Sequence, residues 1–141
     1  MDLNFLIIHN RLPLGEWLAR KNISPNDKCR LCGETTETCE HLFLECSVTI
    51  QTRLEMTELV KQVDDDVSSP LTRSEIIYHL GQIKNSNKTV HEIVSQFKFS
   101  IWQTRAKMLT EGVTNPATAL LYIFRSRLKA QARIDNECMS L

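Results

Sequence analysis

No stretch of this sequence approaches the roughly 18 consecutive apolar residues that a membrane-spanning helix requires, so no membrane anchor is expected. Net charge is missing too. Seventeen basic side chains face seventeen acidic ones, and the whole-chain charge alone points to no polyanionic partner. Glycine is scarce, four in 141 residues, and none builds the phosphate-cradling loop of a nucleotide-binding motif. No nucleophile stands at a recognisable spacing from a paired base, so no catalytic residue is expected and the chain reads as non-enzymatic. The opening run Met1 to Ile8 is short and lacks both a basic start and a small-residue cleavage pattern, which makes it a helix and not a signal peptide. Internal repeats and low-complexity tracts are absent as well. What remains is the composition of a folded globular domain, 42% hydrophobic and 24% charged, long enough to bury a core without help from a metal. The matching expectation is an intracellular protein, nuclear or cytoplasmic.

The apolar spacing is helical throughout. Leu3, Phe5, Leu6 and Ile7, then Leu12, Leu14, Trp17 and Leu18, predict two helices broken near Pro13, a residue that suits a first helical turn. Asn22 to Asp27 reads as a loop. Val48, Ile50, Leu54, Leu59, Val60 and Val63 predict a helix that stops at the acidic run Asp64 to Asp66, followed by a linker at Ser68, Ser69 and Pro70. Thr72 with Glu75 and Thr89 with Glu92 have capping-box spacing, in which each side chain satisfies a free backbone N–H at a helix start. The second box opens the longest candidate helix, with Val90, Val94, Phe97, Ile101 and Met108 on one face up to Gly112. Asn115 as N-cap and Pro116 at the first helical position start a last helix through Leu120, Phe124 and Leu128. The expected fold is a small all-α domain with one zinc knuckle near the N-terminal third. Residues 1–66 form the knuckle region, and residues 67–141 form a C-terminal helical region that packs on it and carries a basic face.

Cysteine is the one residue type whose abundance speaks, because five cysteines inside a cell favour a metal over disulfides. Cys29 and Cys32 have two residues between them and are followed by Gly33, which can take the positive φ of a tight turn. His41 and Cys46 follow with four residues between them. Three thiolates and one imidazole make a closed tetrahedral set for Zn²⁺, with no open position for catalysis. If Glu40 to Cys46 is helical, His41 and Cys46 lie about a turn and a half apart, and one ion can bridge them. Two alternatives stand beside this reading: ordinary buried cysteines with an incidental histidine, and an all-cysteine site in which Cys39 replaces His41. Cys138 is expected to be unliganded, and His9, His79 and His91 to be plain surface or core histidines.

These residues resemble the zinc-binding domain that follows the reverse transcriptase in non-LTR retrotransposons. The likeness runs through His9, Asn10, Arg11, Leu12 and Pro13, then Leu18 to Arg20, Cys29 to Gly33, and Glu37 to Cys46. It covers about residues 5 to 46, with a weaker echo at Ile101, Trp102 and Arg105. The resemblance implies the C-terminal portion of such a polyprotein, or a gene descended from one, whose family role is to hold template RNA or target DNA during target-primed reverse transcription. The polymerase signature, an aromatic residue followed one position later by two aspartates, is not found here. Asp64 to Asp66 follow Lys61, Gln62 and Val63 and read as a solvated loop. Cys39 departs from the pattern, which has an ordinary non-ligand residue at that position.

Charge is uneven along the chain. Residues 97–133 hold seven basic side chains against Glu111 alone. Arg125, Lys129 and Arg133 fall at i, i+4 and i+8, a repulsive row that a phosphate backbone would turn into attraction. Trp102 beside Arg105 suits stacking on an unpaired base. With Lys98, these residues make the candidate nucleic-acid surface, and RNA or DNA the expected partner. The plainer alternative is a solvated helix face with Trp102 in the core. The competing function is a zinc-stabilised protein-interaction module, domesticated or a remnant, that meets a protein partner or a reverse transcriptase core and binds no nucleic acid.

Overall fold

The computed structural model describes residues 3–65, 71–78 and 88–139, and among these the regular secondary structure is helical with no strand. The expected all-α class is what the chain adopts. The expected linker at Ser68, Ser69 and Pro70, and the boundary between residues 66 and 67, lie outside the described residues, as do His79 and the side chain of Cys138.

Two short helices come first, α1 (Leu3–Ile8) and α2 (Gly15–Arg20). α1 buries Leu3 and Ile7. Leu14 is extended, with φ −81° and ψ 165°, so α2 starts at Gly15 and Pro13 stands ahead of the helix rather than opening its first turn. α3 (Ile50–Val63) ends at Asp64, which is extended, as the acidic run predicts. α4 (Arg73–Tyr78) opens with the expected box: the Thr72 N–H donates to Glu75 Oε1 at 3.0 Å and the Glu75 N–H donates to Thr72 Oγ1 at 3.3 Å. The second box is a correction. Thr89 is already helical, inside α5 (Lys88–Thr110), and Glu92 ion-pairs one turn back with Lys88 at 3.7 Å. α6 (Pro116–Met139) is capped by Asn115, whose Oδ1 accepts the Thr118 N–H at 3.2 Å.

The core lies where α5 packs against α3 and α6, while α1 packs on α4. Val90, Val94, Phe97 and Ile101 line the inner face of α5 and are fully buried. Leu120 and Phe124 oppose them from α6, and the Phe97 and Phe124 rings meet edge to face, 6.2 Å between centroids at 85°. Each such side chain stabilises the fold by about 1.5–3 kcal/mol through burial alone. No helix among the described residues is long and apolar enough to cross a membrane.

Candidate zinc centre and the basic helices

The knuckle is built on a loop that folds back on itself. Cys29 donates its N–H to the Thr35 carbonyl at 2.8 Å, Glu37 donates to the Asp27 carbonyl at 2.8 Å, and Lys28 and Thr36 form an antiparallel bridge. Gly33 closes the turn at φ +70°, a conformation that costs glycine nothing, and its N–H reaches the Cys29 carbonyl at 2.8 Å. Cys29 and Cys32 thereby point to one side.

The second pair comes from a different device. His41–Glu45 is a π-helical turn, closed by the Cys46 N–H on the His41 carbonyl at 2.7 Å, and not the α-helical start expected from the sequence. The difference matters, because at 3.6 residues per turn two residues five apart diverge by about 140° around the axis. An i→i+5 hydrogen bond brings them round to the same side. Thr38 anchors the turn, its Oγ1 accepting the His41 N–H at 3.0 Å.

The ligand atoms of Cys29, Cys32, His41 and Cys46 lie within 4.8 Å of one another. Ligands about 2.3 Å from a shared tetrahedral ion stand about 3.8 Å apart. The Cys29 and Cys46 sulfurs are 3.9 Å apart, and Cys32 Sγ lies 3.3 Å from His41 Nε2. Three sulfurs and an imidazole nitrogen at these separations fit Zn²⁺ as a closed structural set. Thr35 Oγ1 sits 3.0 Å from His41 Nδ1, where it can accept that N–H and leave Nε2 free for a metal. The hydrogen bond from Cys46 draws the Cys29 thiol down to about 5 against the opposing effect of burial, whereas Cys46, as donor, is pushed well up.

Cys39 is not part of the cluster. Burial, with the nearby Glu40 carboxylate, pushes its thiol up to about 11, so it stays protonated and packs against the core. The sequence alternative in which Cys39 replaces His41 is thus set aside by position.

Glu37 is the site residue that the sequence did not reveal. It is fully buried beside the knuckle, and its carboxylate accepts the Gly15 N–H at 2.8 Å and the Arg30 N–H at 2.8 Å. Arg105, 68 positions away on α5, binds it through Nε at 3.1 Å and Nη2 at 2.7 Å, and reaches the Pro13 carbonyl at 3.2 Å. Burial alone would raise the Glu37 carboxyl; the Arg105 and backbone hydrogen bonds outweigh it and hold the group below its usual 4.5. Gly15 completes the joint, because a Cβ there would collide with the Asp27 carbonyl and the Arg30 guanidinium. One carboxylate therefore ties α2, the knuckle loop and α5 together.

This changes the expected nucleic-acid surface. Arg105 is committed to Glu37 inside the protein, and Lys98 is fully buried with Nζ 3.4 Å from the Ile77 carbonyl, so neither presents its charge to solvent. Trp102 is half-buried under the Arg105 guanidinium, 4.9 Å from its ring centroid, which matches the plainer alternative better than an open stacking face. Arg125 is exposed but bonded to Glu55 of α3 at 2.6 Å. Lys129 and Arg133 are exposed on α6, and no carboxylate pairs with them among the described residues.

A four-ligand Cys₃His set on a loop and a π turn defines the class: a zinc-binding domain with a closed ligand set of the structural type. Residues 3–52, about a third of the chain, match the family described as zinc-binding in reverse transcriptase, and the match supports a reverse-transcriptase-associated zinc-binding domain in this N-terminal region. No curated protein and no solved structure matches the chain.

Proposed function

We propose that the protein is a zinc-stabilised module that holds nucleic acid on the outer face of α6, in keeping with the reverse-transcriptase association of its N-terminal domain. The observation that carries the proposal is the fate of the basic side chains of α5 and α6. Arg105 and Arg125 are neutralised by Glu37 and Glu55, while Lys107, Arg127, Lys129 and Arg133 meet no carboxylate among the described residues. Arg127 donates to the neutral amides of Gln96 and Gln103, at 2.6 and 3.2 Å, and lies over the Phe99 ring, 5.2 Å from its centroid. An uncompensated positive face on a chain of zero net charge is a local feature suited to a phosphate backbone. The zinc supports this face indirectly, by fixing the loop whose Glu37 holds α5 in place.

The test is the salt dependence of RNA and DNA binding by the zinc-loaded protein. The logarithm of the binding constant is expected to fall linearly with the logarithm of salt, and Lys129→Ala with Arg133→Ala should flatten the slope by about one per cation removed. A salt-independent affinity, or one that the double variant leaves intact, overturns the proposal. A second reading, contact with a protein partner, is favoured by Leu54, 62% exposed on α3, and by a shallow cleft of about 420 Å³ between α3 and α6 lined by Leu59 and Leu128. Sedimentation with and without nucleic acid separates the two.

A further inference from the structure

Tyr122 is 73% exposed, more than any other large apolar or aromatic side chain described. Its position on α6 is informative. At 100° per residue, Lys129 and Arg133 lie within about 20° of Tyr122 around the helix axis, about 10 and 16 Å further along it. Arg125, by contrast, lies about 60° away and turns to Glu55 on α3. The chain from Pro116 to Ile134 contains no acidic residue, so nothing on this stretch of the helix repels an approaching phosphate. One aromatic ring and two cations that meet no carboxylate within ion-pair distance among the described residues thus form one line along α6, with Lys129 at the rim of the cleft that Glu55 and Glu58 also line.

Resting on the nucleic-acid reading above, we infer that this line is a site for a single strand, with the Tyr122 ring stacked on an unpaired base and Lys129 and Arg133 on phosphates of the same strand. A base offers its face to a side chain only when it is unstacked, and a duplex keeps its base faces covered, so a tyrosine standing free of the surface gains contact from a single strand alone. Stacking on an aromatic ring accepts any base, so the site discriminates strandedness and not sequence. Cations on the same row keep the backbone aligned with the helix.

The experiment measures fluorescence anisotropy of the full zinc-loaded chain with a labelled single-stranded oligonucleotide of mixed sequence and with the matching duplex. Tyr122→Ala is expected to weaken the single strand at least fivefold with the salt slope unchanged, and to leave the duplex unaffected. Tyr122→Phe should restore binding, since the ring and not the hydroxyl stacks. Lys129→Ala with Arg133→Ala should weaken both forms. If the double variant weakens binding but Tyr122→Ala has no effect, or weakens strand and duplex equally, the single-strand inference fails while the basic-face reading stands. If neither nucleic acid binds, both fail. A change in sedimentation caused by Tyr122→Ala without nucleic acid would assign the ring to a contact between protein copies and overturn the inference.

Discussion

The knuckle loop and the α5–α6 pair hold their shapes by opposite means. Between α5 and α6 the buried groups are apolar, Phe97, Ile101, Leu120 and Phe124, and their stabilisation is non-directional and grows with area. Inside the knuckle, beside the apolar Leu31, Leu42 and Phe43, the buried groups include Cys29, Glu37, His41 and Cys46, each useful only at a fixed distance from named partners. The first arrangement tolerates small shifts and the second does not. The contrast also shows why the two regions need a bolt: the Glu37–Arg105 pair is where the directional half grips the non-directional one.

The sharpest way to break the comparison is to remove the metal. Structural zinc in small finger peptides binds with about 10 kcal/mol or more. Chelation, or Cys46→Ala, is expected to take the protein from one zinc per chain to none. Amide exchange should then open across residues 27–46 while α5 and α6 keep their protection. If all helices lose protection together, the two regions are one cooperative unit.

Phe97→Ala attacks the other side. It removes a fully buried ring and its edge-to-face contact, at a cost of about 3–5 kcal/mol in denaturant unfolding, and zinc content should be unchanged. Glu37→Ala strikes the joint. It leaves the Arg105 charge buried without its partner, for a loss of about 3 kcal/mol, and pairing it with Arg105→Met should recover most of that loss. Strict additivity in this cycle would mean that the pair does not act as a unit.

The smallest effect is the pH dependence of that joint. Because the Glu37 carboxyl titrates lower in the folded chain than its usual 4.5, its stabilisation is fully present above about pH 4.5 and is lost as pH falls through the folded value. The melting-temperature gap between the wild type and Glu37→Gln should therefore be constant above about pH 5 and narrow below pH 4. A gap that persists to pH 3 would place the stabilisation elsewhere.

What could be read in the chain was local. The zinc set was legible because its four ligands fall within eighteen residues, and the Thr72–Glu75 box and the Asn115 cap because each joins groups three positions apart. The inner stripe of α5 was legible because Val90, Val94, Phe97 and Ile101 repeat with the helix. The Glu37–Arg105 pair was not, because 68 residues separate groups that look like ordinary surface charges. Lys98 misled for the same reason: it interrupts an apolar stripe between Phe97 and Phe99, and only the packed interior shows that it lies inside. The π turn escaped because an α-helix and a π-helix draw on the same side chains and differ in one hydrogen-bond register.

That register has a consequence for how such a protein can vary. The distance from His41 to Cys46 along the chain works as a gauge with one correct setting, since the hydrogen bond that closes the turn also delivers both ligands. Adding or deleting one residue between them would rotate one ligand away from the other, whatever residue was chosen. The exposed turn between α5 and α6, around Thr114, delivers no ligand and is under no such constraint. Length differences among descendants of this chain should collect there, while the four residues between His41 and Cys46 change in kind but not in number.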